Sequence, residues 1–162
     1  MLFFCWALLL GFLSQQSTPA STSPTASSTS AIAVHATSAK ASTSLDFEFF
    51  KTKVQPNFLA KRPGHARCVA CHARPQASGF ELQPPTPGST SWNEEQSRKN
   101  FAAVRAVVIP GDMRSPLLVH PLAEAAGGDF FHSGGKHFNS QDDPEWKTLR
   151  AWVFGATARG DR

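Results

Sequence analysis

The chain has 162 residues, of which 41% are hydrophobic, and carries sixteen Lys and Arg against twelve Asp and Glu. All cations but Lys40 lie beyond residue 45, where the basic excess is only three, and no cationic cluster is interleaved with aromatics. This excludes a nucleic-acid-binding surface, and the length suits one small domain without internal repeats.

Residues 1–20 read as an export signal. Met1 to Leu13 is an unbroken apolar run that stops at Ser14-Gln15-Gln16. It falls short of the roughly 20 residues a membrane-spanning helix needs and has the length of a signal-peptide core. No Lys or Arg precedes it, and Thr18-Pro19-Ala20 offers a small-residue cleavage site. Cys5 lies in the signal core and leaves with it, so two cysteines remain. Export places the protein in the periplasm, held at a membrane only if the signal is retained as an anchor.

Residues 21–45 form a linker. Ser, Thr, Ala and Pro dominate, as in Ser21-Thr22-Ser23-Pro24-Thr25-Ala26. Such a segment has too little apolar surface to offset the entropy of ordering, and reads as a disordered tether. His35 and Lys40 stand in it without company.

Composition changes at Asp46, and residues 46–158 read as one all-α domain. Phe47, Phe50, Val54 and Phe58 recur at helical spacing, with Pro56 expected to bend or end that helix. Gly79-Phe80-Glu81-Leu82 alternates as a short extended piece, and Pro84-Pro85-Thr86-Pro87-Gly88 as a stiff loop. Ser91-Trp92-Asn93-Glu94 reads as a capping box opening a helix that buries Trp92, Phe101, Val104 and Val108 and ends near Ile109-Pro110-Gly111. Ser115 and Pro116 start a short apolar helix that Pro121 is expected to end or kink. A glycine-rich loop follows from Gly127 to about Ser140. The last helix opens at Asp143-Pro144, turns Trp146, Leu149 and Val153 inward with Trp152 beside them, and stops near Gly155.

Between the first helix and the extended piece stands Cys68-Val69-Ala70-Cys71-His72. C-x-x-C-H is the signature of covalent c-type haem attachment: the two thiols add across the haem vinyl groups and the adjacent imidazole reaches the iron as proximal ligand. The competing readings are a redox dithiol, expected near a βαβ pattern, and a zinc site, which wants a fourth Cys or His at short spacing; neither accompaniment is present. A domain of about 110 residues has a marginal core, and a buried porphyrin would supply much of the missing apolar surface. Two propionates would nearly cancel the basic excess.

The order of these elements resembles the planctomycete-type cytochrome c domain: an aromatic helix, C-x-x-C-H, Gly-Phe-x-Leu, Val108-Ile109-Pro110-Gly111-Asp112, a Ser-x-Leu-Leu helix, and Ala151-Trp152-Val153 in the last helix. The resemblance implies a class I cytochrome c fold, with first and last helices packed together and one haem c, edge-exposed, held through Cys68, Cys71 and His72. It also implies a departure. Similar sequences carry Met-Pro-Pro in the loop before the last helix, whereas this chain reads Phe130-Phe131-His132-Ser133-Gly134-Gly135-Lys136-His137-Phe138. Aligning the glycines sets His132 near the methionine position, so His132 is the expected sixth ligand, with His137 second and Met113 third; His120 reads as a helix-end cap and His65 as solvated. Arg67, Arg74 and Lys136 are the cations expected near propionates or a partner surface.

The expected function is non-enzymatic: a monohaem carrier of single electrons between a donor and an acceptor protein, the redox chemistry belonging to the haem. A haem sensor or peroxidase-like protein with an open or displaceable distal site is the alternative, and a non-haem metal module on Cys68, Cys71 and His72 is a third reading.

Overall fold

In the computed structural model, residues 44–75, 77 and 79–160 are described; they form helices joined by loops, with no strand among them and one isolated bridge between Leu122 and Phe138. The expected signal and nearly all of the linker lie outside the described residues.

The first helical arm runs from α1 (Phe47–Phe49) through a π-helical stretch (Phe50–Val54) into α2 (Pro56–Leu59). Asp46 caps it by accepting the Phe49 amide. Pro56, expected to bend or end this helix before Lys61, stands at the first position of α2, behind the π-helical stretch, and the arm ends at Leu59. A proline ring collides with the carbonyl four residues back. Here the turn has widened, and the Gln55 amide donates to the Phe50 carbonyl oxygen at 2.7 Å. Phe50, Val54 and Phe58 therefore keep one buried face across the proline, while Phe47 is only half-buried.

The last helix, α6 (Pro144–Val153), crosses this arm. Its Trp152 ring lies 5.1 Å from the Phe50 ring, and the indole N–H donates to the Asp46 carbonyl oxygen at 2.8 Å. Trp146, Leu149, Trp152 and Val153 are all buried, and Gly155 closes the helix with a φ of 92°. Asp143 is the N-cap residue by position, but its carboxylate accepts the Asn139 amide in the preceding loop instead of a helix amide.

α4 (Glu94–Arg105) packs on the first arm and on Trp152 through Phe101. Its capping box is built from Asn93 and Gln96, two residues later than the sequence reading set it; Trp92 sits ahead of the cap, buried, with its indole donating to the Gln83 carbonyl oxygen. The helix stops at Arg105, earlier than expected, and Val108 is buried beyond its end. The buried side of α4 is partly polar: Ser97, Asn100 and Val104 are buried, Phe101 only half-buried. Gln55 donates to the Ser97 hydroxyl at 2.9 Å, and Asn100 Oδ1 accepts the Gln83 amide at 2.7 Å. Asn100→Ala should cost about 1–3 kcal/mol, because it removes a fully buried side chain's hydrogen bond and leaves the partly buried Gln83 amide without its acceptor. A lowered urea midpoint with unchanged slope would check this.

α3 (Cys68–His72) and α5 (Pro116–Val119) are short. Ser115 heads α5, but its hydroxyl accepts the Ile109 amide rather than capping the helix. After α3 no strand forms in the piece expected to be extended; Leu82 is buried, and its amide donates to the His72 carbonyl oxygen at 2.7 Å. That bond ties this piece to the helix bearing the C-x-x-C-H motif.

Candidate cofactor site

Cys68, Cys71 and His72 occur at helical spacings of three and four, and α3 gathers them at one wall of a cavity of about 800 Å³. That volume is ordinary for a cofactor pocket. Phe58, Phe80, Val108, Leu117, Phe138 and Leu149 supply much of the apolar lining. Both thiols are free; Cys68 is half-buried and Cys71 exposed. Burial pushes the Cys68 thiol up, against the pull of the nearby Arg62 guanidinium.

His72 is oriented by the protein's own groups. Its Nδ1 lies 2.9 Å from the Phe80 carbonyl oxygen, and its ring stacks on Phe80 with centroids 4.1 Å apart and planes 9° from parallel. A carbonyl can only accept, so Nδ1 carries the proton and Nε2 keeps its lone pair. Burial holds the His72 pKa below its ordinary value, against the Phe80 carbonyl, which acts to raise it, so the ring is neutral at pH 7. A neutral, oriented imidazole is what metal ligation requires.

Across from it stands His132, with ring centroids 6.3 Å apart and planes within 19°. Its Nδ1 is likewise held by a carbonyl, that of Gly135, at 2.7 Å. Two imidazoles on one cavity thus share the same device: Nδ1 donates to the backbone and Nε2 is left available. His137 also lines the cavity but is buried, 5.0 Å from the His65 ring and 5.8 Å from that of His132. Burial, reinforced by His65, pushes its pKa down to about 4, and its Nδ1 is buried without a hydrogen-bond partner. His120 reaches the cavity wall, but its Nδ1 is engaged by the Asp129 carboxylate. Met113 does not line the cavity and is 37% exposed.

One cavity residue, Arg62, has no signal in the sequence, and His65 departs from its expected place. Arg62, in Lys61-Arg62-Pro63-Gly64, has the context of a solvated turn, yet it is 8% exposed, lines the cavity and lies over the Phe138 ring at 4.9 Å. Its Nε has no partner, and its other nitrogens reach the Asn57 carbonyl oxygen only at 3.4 and 3.5 Å. A buried, poorly satisfied guanidinium calls for an anion. His65, expected in water, instead packs against His137. Arg67 and Arg74 do line the cavity. Lys136 does not serve there: its ammonium donates to Asp129 and to the His120 carbonyl oxygen. Burial alone would raise the Asp129 carboxyl, but the hydrogen bonds from Lys136 and His120 outweigh it and hold the group below the usual range.

These residues fit the haem that the motif implies. The cavity has an apolar wall, two thiols beside a neutral imidazole, a second imidazole opposite, and a buried cation suited to a carboxylate edge. Among the described residues no group of three or more His, Cys, Asp or Glu is arranged to hold a metal ion by protein ligands alone. A porphyrin brings four ligands of its own and asks two of the protein. Compared with known proteins, the chain matches no family profile, no curated protein and no solved structure.

Proposed function

We propose that this chain is a monohaem c-type cytochrome that carries single electrons between a donor and an acceptor protein after export. The observation that carries the reading is the C-x-x-C-H helix at the cavity, with its His72 held by the Phe80 carbonyl so that Nε2 remains free to ligate. In this reading Cys68 and Cys71 hold haem c covalently, His72 is the proximal ligand and His132 the sixth. Haem supplies a reversible one-electron couple at its iron. The chain's own residues exclude water with Phe58, Phe80, Leu117 and Phe138, set the histidine tautomers through backbone carbonyls, and offer Arg62 to a propionate. With two protein ligands the site needs no substrate-binding position, which favours electron transfer over catalysis.

One observation supports a second reading, a haem sensor or peroxidase-like protein. The His132 side chain makes its hydrogen bond within its own loop, to the Gly135 carbonyl oxygen, beside the exposed Phe130 and Phe131, which suits a displaceable ligand. Absorption spectra of the exported protein, oxidised, reduced and reduced under carbon monoxide, test both. The expected result is a Soret band, a low-spin spectrum in both oxidation states and no change with carbon monoxide. A high-spin protein that binds carbon monoxide supports the sensor or catalytic reading, and protein without a Soret band overturns both.

A further inference from the structure

We propose that Asp129 is a positioning residue for the distal loop: together with His120 and Lys136 it clasps the two ends of segment 129–136 and so keeps His132 at the cavity. The inference rests on the reading of His132 as sixth ligand. Lys136, at the far end of the segment, donates through Nζ to Asp129 Oδ1 at 3.2 Å and to the Asp129 carbonyl oxygen, and reaches the His120 carbonyl oxygen at 3.1 Å. The second carboxylate oxygen of Asp129 meets His120 Nδ1. Both ends of the loop are thereby bound to each other and to the residue that ends α5.

The stems beneath the clasp are fixed by the backbone. The Asp129 amide donates to the Val119 carbonyl oxygen at 3.1 Å, and the Gly128 amide to that of Ala123 at 3.0 Å. A Cβ on Gly128 would stand 1.9 Å from the Leu122 carbonyl oxygen, so only glycine lets the chain deliver Asp129 to this place. The tip above has no such support. Phe130 and Phe131 are 84% and 68% exposed and contribute almost nothing to a core. Within the tip, His132 Nδ1 donates to the Gly135 carbonyl and the Gly135 amide donates back to the His132 carbonyl at 2.8 Å. Those bonds keep the tip's shape but do not join it to the domain. Backbone bonds join the flanks of the segment to the domain, Asp129 to Val119 on one side and Phe138 to Pro121 and Ala123 on the other, and the clasp adds the side-chain bonds that hold those flanks together; the side chains of Lys136 and Asp129 are 22% and 35% exposed.

If His132 must leave before an exogenous ligand can bind, the binding rate follows the fraction of loops that are open. The test compares the parent, Asp129→Ala, Lys136→Met and His132→Ala as haem-loaded ferric proteins, well below their melting temperatures. Cyanide binding is followed by absorbance, and hydrogen exchange is followed in segment 129–136. Asp129→Ala and Lys136→Met should each bind cyanide about tenfold faster than the parent, with faster exchange confined to the segment and a resting spectrum still low-spin. His132→Ala should be high-spin and bind without the opening step. Parental cyanide rates in both clasp variants, beside a high-spin His132→Ala, overturn the clasp and leave His132 ligation standing. A lower melting temperature with an unchanged cyanide rate gives the cluster a merely structural role and also overturns the clasp. A high-spin parent, or a His132→Ala protein with the parent's spectrum, overturns the ligand reading and the clasp with it. Lys136→Met leaves the Asp129–His120 contact in place and keeps the comparison decisive should Asp129→Ala not fold.

Discussion

Replacing Cys68 and Cys71 together by alanine should leave no haem that survives denaturing electrophoresis, and the exported protein should be poorly folded. The first effect follows from covalent attachment, since a thioether persists when the fold is lost and axial coordination does not. The second follows from the cavity. An open cavity of about 800 Å³, lined by Phe58, Phe80, Leu117, Phe138 and Leu149, reaches into the core of a small domain, and a flat apolar group would cover that apolar lining. Arg62 and His137 add buried polar atoms without partners, which further weakens the unfilled state. Haem staining on a denaturing gel and near-ultraviolet dichroism are the measurements. Haem staining retained by the double variant would sink the claim.

His132→Ala should convert a low-spin ferric spectrum to high-spin, whereas His137→Ala and Met113→Ala should not. Met113 is outside the cavity lining and partly exposed, so its loss removes nothing from the site. His137 is buried against His65, while His132 stands opposite His72 with its Nδ1 already bound to a carbonyl and its Nε2 left over. Two imidazole ligands lack the soft sulfur that favours ferrous iron, so the potential should lie below that of a His/Met cytochrome of similar burial. The far-red charge-transfer band of methionine-ligated ferric haem should be absent. Visible and near-infrared spectra of the three variants, with a potentiometric titration of the parent, check these outcomes. A low-spin His132→Ala protein matching the parent removes the assignment.

Much of the helical layout was legible because its signals are local. Pro116 at the start of α5, Asp143-Pro144 ahead of α6, and Gly155 after it act through backbone geometry within a few residues. The inward set Trp146, Leu149 and Val153 follows from helical period alone. The same holds for the motif: Cys68, Cys71 and His72 share a helix face by spacing, whatever surrounds them. The capping box was misread by two residues because Ser91 and Asn93 can each cap, and the competition is decided by Trp92, which buries itself against Gln83 and leaves Asn93 at the helix mouth.

The local elements and the cysteine–histidine motif are thus set by neighbours along the chain, whereas packing across the fold settles which polar residues are buried and which histidines meet. Gln55, Ser97 and Asn100 form a buried network across more than forty residues of chain, and each alone looks like a surface residue. Arg62 reads as part of a solvated turn until Phe138 is brought beneath it. Pro56 signals an interruption of the helix, but its form, a widened π-helical turn with Phe50 against Phe101 and Trp152, is not legible locally. The physical reason is common to all of these. Burial of a polar group, or a departure from regular helix geometry, is decided by partners far along the chain, and local propensity carries no information about them.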